Sequence, residues 1–166
     1  MKKIFLFTTL ALLIFASCKK SSSPITTNNT ITASVDGVTY TCNTEPGNEL
    51  YQDSTGTNDW YRFDAWISDS NNVNGFYIYF GKLNQPLTTG TYGAYGDSTT
   101  QAYIEYDSTG QYWGSQTILN PATIKVTSIS GSTIQGTFSG TVYLYEDSTS
   151  ANKKVITNGK FNLSTL

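Results

Sequence analysis

The clearest pattern in the chain is a strict alternation of apolar and polar residues in its C-terminal third. From 134 to 144 every even-numbered residue is apolar or glycine, whereas the odd-numbered ones are glutamine, serine, threonine or tyrosine. Alternation with a period of two is typical of a β-strand with one buried face. The segment therefore predicts a long strand, and Gly136 and Gly140 in its interior indicate a bend or a bulge.

Two hairpins are predicted around this strand, in registers that keep apolar residues on one face. In the first hairpin, which turns at 130–132, the expected pairs are Ser128–Ile134, Val126–Gly136 and Ile124–Phe138. In the second hairpin, the expected pairs are Leu144–Val155, Val142–Thr157, Gly140–Gly159 and Phe138–Phe161.

The chain beyond residue 30 consists of further short strand patterns separated by Gly, Asn, Asp and Ser. The predicted strands span 31–35, 38–42, 60–68, 76–81, 91–95, 101–106, 122–128, 133–145 and 154–163. No window has the periodicity of an amphipathic helix, although Pro46 to Tyr51 could form one helical turn. Because strands joined by short turns are usually neighbours, we predict a single all-β domain over 31–166, an antiparallel meander forming a β-sandwich or a partly closed barrel.

The N-terminus has the pattern of an export signal. Two lysines at positions 2 and 3 precede an apolar run from Ile4 to Phe15, which is too short to span a bilayer core of about 30 Å. Ala16-Ser17-Cys18 then resembles the lipobox of bacterial lipoproteins, with Phe15 where that family usually has leucine. The resemblance implies a signal peptide over 1–17 and a lipid on Cys18. The alternative is an ordinary secretory signal followed by a chance cysteine.

Residues 18–30 predict a flexible tether between this lipid and the domain. The segment after Cys18 is rich in Ser, Thr and Asn and contains one proline. The resemblance to lipoproteins implies an outer-membrane protein held by its acyl chains. Lys19 and Lys20 differ from the acidic residues that surface-export signals of related lipoproteins tend to carry, which favours the periplasmic face over the cell surface.

Composition argues against several functions. Without Lys2 and Lys3, the chain from 18 to 166 keeps eight basic and twelve acidic residues, a net charge of −4, which argues against nucleic acid as a partner. There is no histidine, no G-x-S-x-G motif, no P-loop and no paired-cysteine zinc spacing. We therefore expect no catalysis, no cofactor and no metal site. The oxygen-rich segment 53–59 resembles a calcium loop faintly, but a polar turn explains it better.

Cys42 is the second cysteine of the chain and ends a predicted strand. Since Cys18 is assigned to the lipid, no internal disulfide is expected. A nucleophilic role would need an activating group, and the chain has no histidine. We interpret Cys42 as a small buried apolar side chain.

One candidate binding surface comes from the strands at 60–68 and 76–81. Alternation places aromatic and charged residues on one face of both strands and apolar residues on the other. Pairing across 68–75 is expected to join Trp66 with Tyr77, Asp64 with Tyr79, Ile67 with Phe76 and Ala65 with Ile78. The polar face then forms what we call the aromatic platform, which consists of Trp60, Arg62, Asp64, Trp66, Tyr77 and Tyr79.

The aromatic platform has the chemistry of a glycan site. Aromatic rings stack on the C–H groups of sugars, whereas Arg62 and Asp64 can hydrogen-bond to hydroxyl groups. In the alternative interpretation, the 43–58 loop or another sheet covers this face and Arg62 forms a local ion pair with Asp64. Aromatic cross-strand pairs also stabilise sheets without any ligand.

The tripeptide Asp-Ser-Thr occurs four times, each time between predicted strands. Asp and Ser favour turns through local side-chain bonds to the backbone, which is the simpler explanation. The tripeptide also resembles the acceptor motif of a general O-glycosylation system that modifies exported proteins in some bacteria. That resemblance implies four acceptor residues, namely Ser54, Ser98, Ser108 and Ser148.

The order of motifs resembles a family of small uncharacterised envelope lipoproteins. The motifs are the lipobox, a polar linker, the opening strand ITASVDGVTY at 31–40, Gly-Thr-Tyr at 90–92, GTFSG at 136–140 and GKFN at 159–162. The resemblance implies a fold but no catalytic residue. Two functions are kept open: a non-catalytic binding lipoprotein with glycan as the leading ligand, and a structural or protein-interaction module of the cell envelope.

Overall fold

The computed structural model describes residues 29–55, 58–69, 71, 73–93, 98–115, 122–145, 147 and 151–164. Within the ranges 44–55 and 58–60 it describes the backbone and not the side chains. The signal peptide, Cys18, the tether up to residue 28 and Ser148 lie outside the described residues.

The described residues form eleven β-strands and no helix. The strands are β1 (Thr30–Val35), β2 (Val38–Cys42), β3 (Thr44–Thr55), β4 (Asn58–Ser68), β5 (Asn74–Leu83), β6 (Gly90–Tyr92), β7 (Thr100–Ser108), β8 (Gln111–Ser115), β9 (Thr123–Ser130), β10 (Thr133–Leu144) and β11 (Lys153–Ser164). All nine predicted strands are present, whereas β3 and β8 were not predicted. The helical turn expected at Pro46–Tyr51 is wrong, because those residues belong to β3. Pro46 lies at a register shift between Thr44 and Gly47, where a strand tolerates proline.

The strands form one antiparallel sheet that curls into a half-barrel, as the predicted all-β antiparallel fold requires. Its strand order is β2-β1-β11-β10-β8-β7-β5-β4-β3, with β9 paired to β10 and β6 paired to β9. β2 and β3 stand at opposite ends of this order, although Asn43 alone separates them in the chain. The backbone N–H of Asn43 donates to the carbonyl of Ser68 on β4 at 3.0 Å. The sheet must therefore curl until its two ends meet at this corner.

The long strand β10 has different neighbours along its two halves. Residues 133–139 pair with β9, whereas residues 142–144 pair with β8. The register shifts at Gly136 on the β9 side and between Phe138 and Gly140 on the β11 side. Both predicted glycine positions therefore coincide with irregularities that let one strand serve two neighbours.

The first predicted hairpin is correct in its interior and wrong near its turn. Val126 pairs with Gly136 and Ile124 pairs with Phe138, as expected. The pair Ser128–Ile134 is wrong, because Ser128 lies opposite Gln135 instead. β9 carries one extra residue between Val126 and Ser128, and this bulge displaces the register towards the turn.

The register predicted for the second hairpin is wrong throughout. Phe138 pairs with Gly159, Gly140 with Ile156, Thr141 with Val155 and Val142 with Lys154, and Phe161 lies opposite Gly136. A bulge at 157–158, where Asn158 has a φ of +55°, changes the buried face of β11. Val155 is consequently 46% exposed and Ile156 only 1% exposed, the reverse of the expected pattern.

The concave side of the sheet holds one continuous apolar core rich in aromatic rings. The ring of Phe76 lies 5.3 Å from that of Tyr106 and 5.9 Å from that of Phe138. Phe80 contacts Tyr92 and Phe161 in the same way. Each fully buried ring contributes about 1.5–3 kcal/mol relative to an exposed one, so this face fixes the registers of β4 and β5.

Cys42 belongs to this core, which confirms its interpretation as a buried side chain. Its thiol lies 3.7 Å from the carbonyl oxygen of Asn74. Burial, helped by the negative charge of Asp69, raises the pKa of Cys42 to about 12. The thiol therefore stays protonated at neutral pH.

Candidate functional site

The pairing of β4 with β5 assembles the aromatic platform in the predicted register. Trp66 lies opposite Tyr77 and Asp64 opposite Tyr79, and the inward pairs Ile67–Phe76 and Ala65–Ile78 are also as expected. The inward residues are fully buried, whereas the described platform side chains are half-buried on the outer face. Trp60 lies opposite Leu83 at the end of the same ladder, but its side chain is outside the described part of the structure.

The described residues of 43–58 do not form a loop across this face, so that part of the alternative interpretation is wrong. Residues 44–55 form β3, which pairs edge to edge with β4. Glu49 lies opposite Asp64 and Gly47 opposite Trp66 in this pairing. β3 therefore extends the sheet sideways and leaves the platform on its outer face.

The platform side chains contact one another and the next strand, β7. The guanidinium carbon of Arg62 lies 5.3 Å from the centre of the Tyr79 ring, in a cation–π arrangement. The Tyr79 hydroxyl donates to the side-chain carbonyl of Gln101 on β7. Tyr77 meets Tyr103 of β7 edge to face, with ring centres 6.1 Å apart. These contacts hold the rings in fixed orientations.

The indole of Trp66 packs against Gly75 of β5, which has no side chain. A Cβ atom at Gly75 would lie 2.7 Å from the Cζ2 and Cη2 atoms of the indole. Carbon atoms in contact are normally about 3.5–4.0 Å apart, so alanine at this position would displace the ring.

β7 and the end of β10 contribute three residues that the sequence analysis missed. A single oxygen of Glu105, Oε2, accepts hydrogen bonds from the hydroxyls of Tyr103 at 3.1 Å and Tyr145 at 2.8 Å. Gly114 of β8 leaves room for this contact, since a Cβ there would lie 2.8 Å from the Tyr145 hydroxyl. We use the name extended platform for the aromatic platform together with Tyr103, Glu105 and Tyr145.

The carboxyl groups of Glu105 and Asp107 on β7 lie in an environment that opposes their charge. Burial of the Glu105 carboxyl, and then the negative charge of Asp107, raise its pKa above the usual value. Burial also raises the pKa of Asp107, which lies two residues further along β7. Burial likewise raises the pKa of Tyr145, which keeps its hydroxyl a donor towards Glu105.

This arrangement has the properties of a surface that binds a polar ring with apolar faces. The edges and faces of the aromatic rings offer contact area at little cost in conformational entropy, because their contacts already fix them. Glu105 offers a half-buried acceptor and Arg62 a planar donor. Such a set can stack on a sugar ring and hydrogen-bond to its hydroxyl groups at the same time.

The described residues contain no group of three or more His, Cys, Asp or Glu side chains arranged to hold a metal ion. The segment 53–59 forms the ends of β3 and β4, where Thr55 pairs with Asn58 around a hairpin tip outside the described residues. In the same described ranges, no helix has the length and apolarity needed to cross a membrane.

The three described Asp-Ser-Thr serines lie at different places in the sheet, and two of them lie within strands and not between strands as predicted. Ser54 belongs to β3 and pairs with Asp59, although its side chain is not described. Ser108 ends β7, and its hydroxyl donates to the Oδ1 atom of Asn74 at 3.0 Å. Thr109 and Gly110, both with positive φ, make the turn that follows. Ser98 is exposed in an irregular segment.

No protein-family model matches this chain, and no curated protein or solved structure matches it. The resemblance to small envelope lipoproteins therefore stays a prediction from sequence motifs.

Proposed function

We propose that this chain is a non-catalytic envelope lipoprotein whose β-domain binds glycans through the extended platform. The observation that carries this proposal is the contact set on the outer face of β4, β5 and β7. There, Arg62 lies over the ring of Tyr79, and Glu105 accepts from two tyrosine hydroxyls. An acceptor and a donor lie among half-buried aromatic rings, which is the composition expected of a sugar site.

The fixed geometry of the rings supports binding rather than a purely structural role. Tyr145 is 58% exposed although it takes part in the Glu105 contact, so the cluster reaches the surface. A ligand that stacks on such rings gains contact area without ordering mobile side chains, which is the main cost of many weak interfaces.

The membrane part of the proposal depends on the sequence alone. Lipid on Cys18 and a tether that ends before Asn29 and β1, over residues 18–28, would hold the domain at a mean distance of about 18 Å from the membrane. We propose an outer-membrane location on the periplasmic side. Cys18→Ala should leave an unprocessed precursor or a soluble exported protein, and protease shaving of intact cells reports which side the domain occupies.

A glycan array with the full-length protein in neutral detergent tests the binding function. Trp66→Ala should weaken binding by about 1–3 kcal/mol, comparable to other aromatic contacts at binding hot spots. Ile129→Ala on β9 is the control, because it removes an apolar side chain that reaches the surface outside the platform. Equal binding by the two variants would contradict the proposal, provided that both keep their melting temperature.

The second candidate function, a protein-interaction module, is favoured by β3. This strand has twelve residues and ends the strand order, pairing only with β4 among the described residues. Long unpaired strand edges are templates for pairing with another chain. In-cell crosslinking from a photoreactive residue at position 50 would capture a defined envelope protein if β3 has this role.

A further inference from the structure

The charged residues of this chain are divided between two parts of the sheet. β3, β4 and β7 contain seven acidic residues, namely Glu45, Glu49, Asp53, Asp59, Asp64, Glu105 and Asp107. β1, β2, β6, β9, β10 and β11 contain no acidic residue, but they carry the four lysines Lys125, Lys153, Lys154 and Lys160. A chain with a net charge of −2 therefore has one distinctly basic sheet region.

A groove of about 430 Å³ lies in this basic region, on the outer face of β6, β9, β10 and β11. The polar side chains that define its chemistry are Thr91, Lys125, Thr137, Ser139, Asn158 and Lys160. We call this feature the lysine groove. Among the described residues no carboxylate lines it, and it lies on strands other than β4, β5 and β7, which carry the extended platform.

The strand registers place the lining residues of the lysine groove in a row across the sheet. Thr91 pairs with Lys125, Lys125 with Thr137, and Thr137 with Lys160, across four adjacent strands. Neighbouring strands lie about 4.8 Å apart, so the Cα atoms of the two lysines are separated by roughly 10 Å. Both lysines are exposed, and their stems are long enough to meet a single anionic group or two successive ones.

The bulge in β11 adds hydrogen-bonding groups to the groove. Residues 157 and 158 together oppose Ser139, and the positive φ of Asn158 turns the strand at that point. Asn158, Ser139 and Thr137 offer hydroxyl and amide groups beside the two ammonium groups. The groove therefore combines positive charge with neutral donors and acceptors.

Lys125 and Lys160 differ from Lys154, whose ammonium group already contacts two other side chains. Lys154 lies 3.6 Å from Asp36 and 4.6 Å from the centre of the Trp113 ring. Among the described residues, neither Lys125 nor Lys160 takes part in an ion pair. Two cations that have no ion pair within the described ranges, in one groove, favour an anionic ligand.

We propose that the lysine groove binds an acidic polysaccharide, with the lysines on its carboxylate or sulfate groups and the Thr, Ser and Asn side chains on its hydroxyls. Nucleic acid fits less well, because affinity for phosphate backbones requires many more cations than two. A membrane surface fits less well, because binding there combines basic residues with exposed aromatic or aliphatic ones, and the aromatic residue that lines the groove, Phe138, is only 3% exposed.

The test is equilibrium binding of the full-length protein, in neutral detergent, to polygalacturonate. Dextran serves as the uncharged polysaccharide. Lys125→Gln and Lys160→Gln should each weaken binding about threefold, and the double variant about tenfold, because partly exposed charges contribute modestly and additively. Binding should be lost near 1 M salt, where the screening length is about 3 Å.

Lys153→Gln is the matched control, since it makes the same charge change on the same strand outside the groove. It should bind polygalacturonate like the unaltered protein, as should Trp66→Ala. The proposal is overturned if polygalacturonate does not bind, if dextran binds equally well, or if Lys153→Gln weakens binding as much as the groove variants. The same variants can be tested on anionic and uncharged vesicles. If Lys125→Gln and Lys160→Gln weaken binding to anionic vesicles but not binding to polygalacturonate, the groove binds a membrane surface and the proposal is overturned. Loss of binding by Trp66→Ala alone would place the ligand on the extended platform instead.

Discussion

The hydroxyl of Tyr145 donates to the carboxylate of Glu105 at 2.8 Å, across forty residues of sequence. Tyr145 follows the end of β10 and Glu105 lies in β7, and the two strands are separated in the sheet by β8. The contact passes over Gly114 of β8, which has no side chain to obstruct it. It joins two distant hairpins on the outer face, beside the aromatic rings of β5.

We predict that Glu105 gives the protein a characteristic dependence of stability on pH. Burial, and then the charge of Asp107, raise the pKa of Glu105 in the folded state. The folded protein therefore binds this proton more tightly than the unfolded chain does. Stability should rise as the pH falls from 7 through the raised pKa, and the gain should end below the unfolded value of about 4.3.

Glu105→Gln should remove this gain of stability at low pH, because glutamine does not titrate. Its side-chain carbonyl still accepts hydrogen bonds from both tyrosines. Thermal unfolding midpoints measured from pH 7 to pH 4 report the difference between the two proteins. A variant whose curve runs parallel to that of the unaltered protein would show that Glu105 does not titrate in this range.

Asp69 should give stability the opposite dependence on pH. Its carboxylate accepts from the side chain of Asn74 at 2.8 Å and from the backbone N–H groups of Val73 and Asn71 at 3.0 and 3.1 Å. These bonds, the Asn74 one foremost, lower the pKa of Asp69. Its stabilisation is therefore present above the unfolded pKa and is lost as the pH falls through the lower, folded-state value.

Asp69→Ala should destabilise the protein by about 1 kcal/mol at neutral pH, because the turn between β4 and β5 loses its side-chain acceptor. Denaturant unfolding at pH 7 measures this loss. Asp36→Ala is a useful comparison, since Asp36 also accepts a backbone N–H, that of Val155. The loss at Asp69 should shrink at pH 2, whereas an undiminished loss would mean that the carboxylate charge is irrelevant.

Cys42 should be chemically inert in the folded protein. Its side chain is fully buried, and its pKa is raised to about 12, so almost no thiolate exists at pH 8. Mass spectrometry after treatment with iodoacetamide should show no adduct at Cys42 until denaturant is added. Rapid modification under native conditions would contradict the packing of β2 against β5.

The elements predicted correctly are those whose two faces differ strongly in polarity. β4 and β5 were paired in the right register because a slip by one residue would expose Phe63 and Ile78. β3 was missed because its sequence, TEPGNELYQDST, is polar and contains proline and glycine. The β11 register was missed in part because Thr157 and Asn158 produce a bulge, and hydrophobic alternation cannot reveal one extra residue.

The extended platform was predicted only as far as one hairpin. The strand at 101–106 is predicted from the sequence, but the strand at 90–92 lies between it and β5 in the sequence. That segment pairs with β9, which allows β7 to lie directly beside β5. Tyr103 and Glu105 are therefore neighbours of Tyr77 for a topological reason that local patterns do not contain.

The serines of the Asp-Ser-Thr tripeptides should differ as acceptors if the chain is O-glycosylated in its native host. Ser98 is exposed, whereas the hydroxyl of Ser108 donates to Asn74 and lies at the end of a paired strand. A transferase acting on the folded protein needs an accessible hydroxyl on a segment that can enter its active site. We expect hexose-containing additions at Ser98 in preference to Ser108.

Intact masses of protein purified from that host, compared for Ser98→Ala and Ser108→Ala, measure this difference. A mass equal to the lipidated polypeptide alone would end the hypothesis, and equal losses in the two variants would indicate modification before folding.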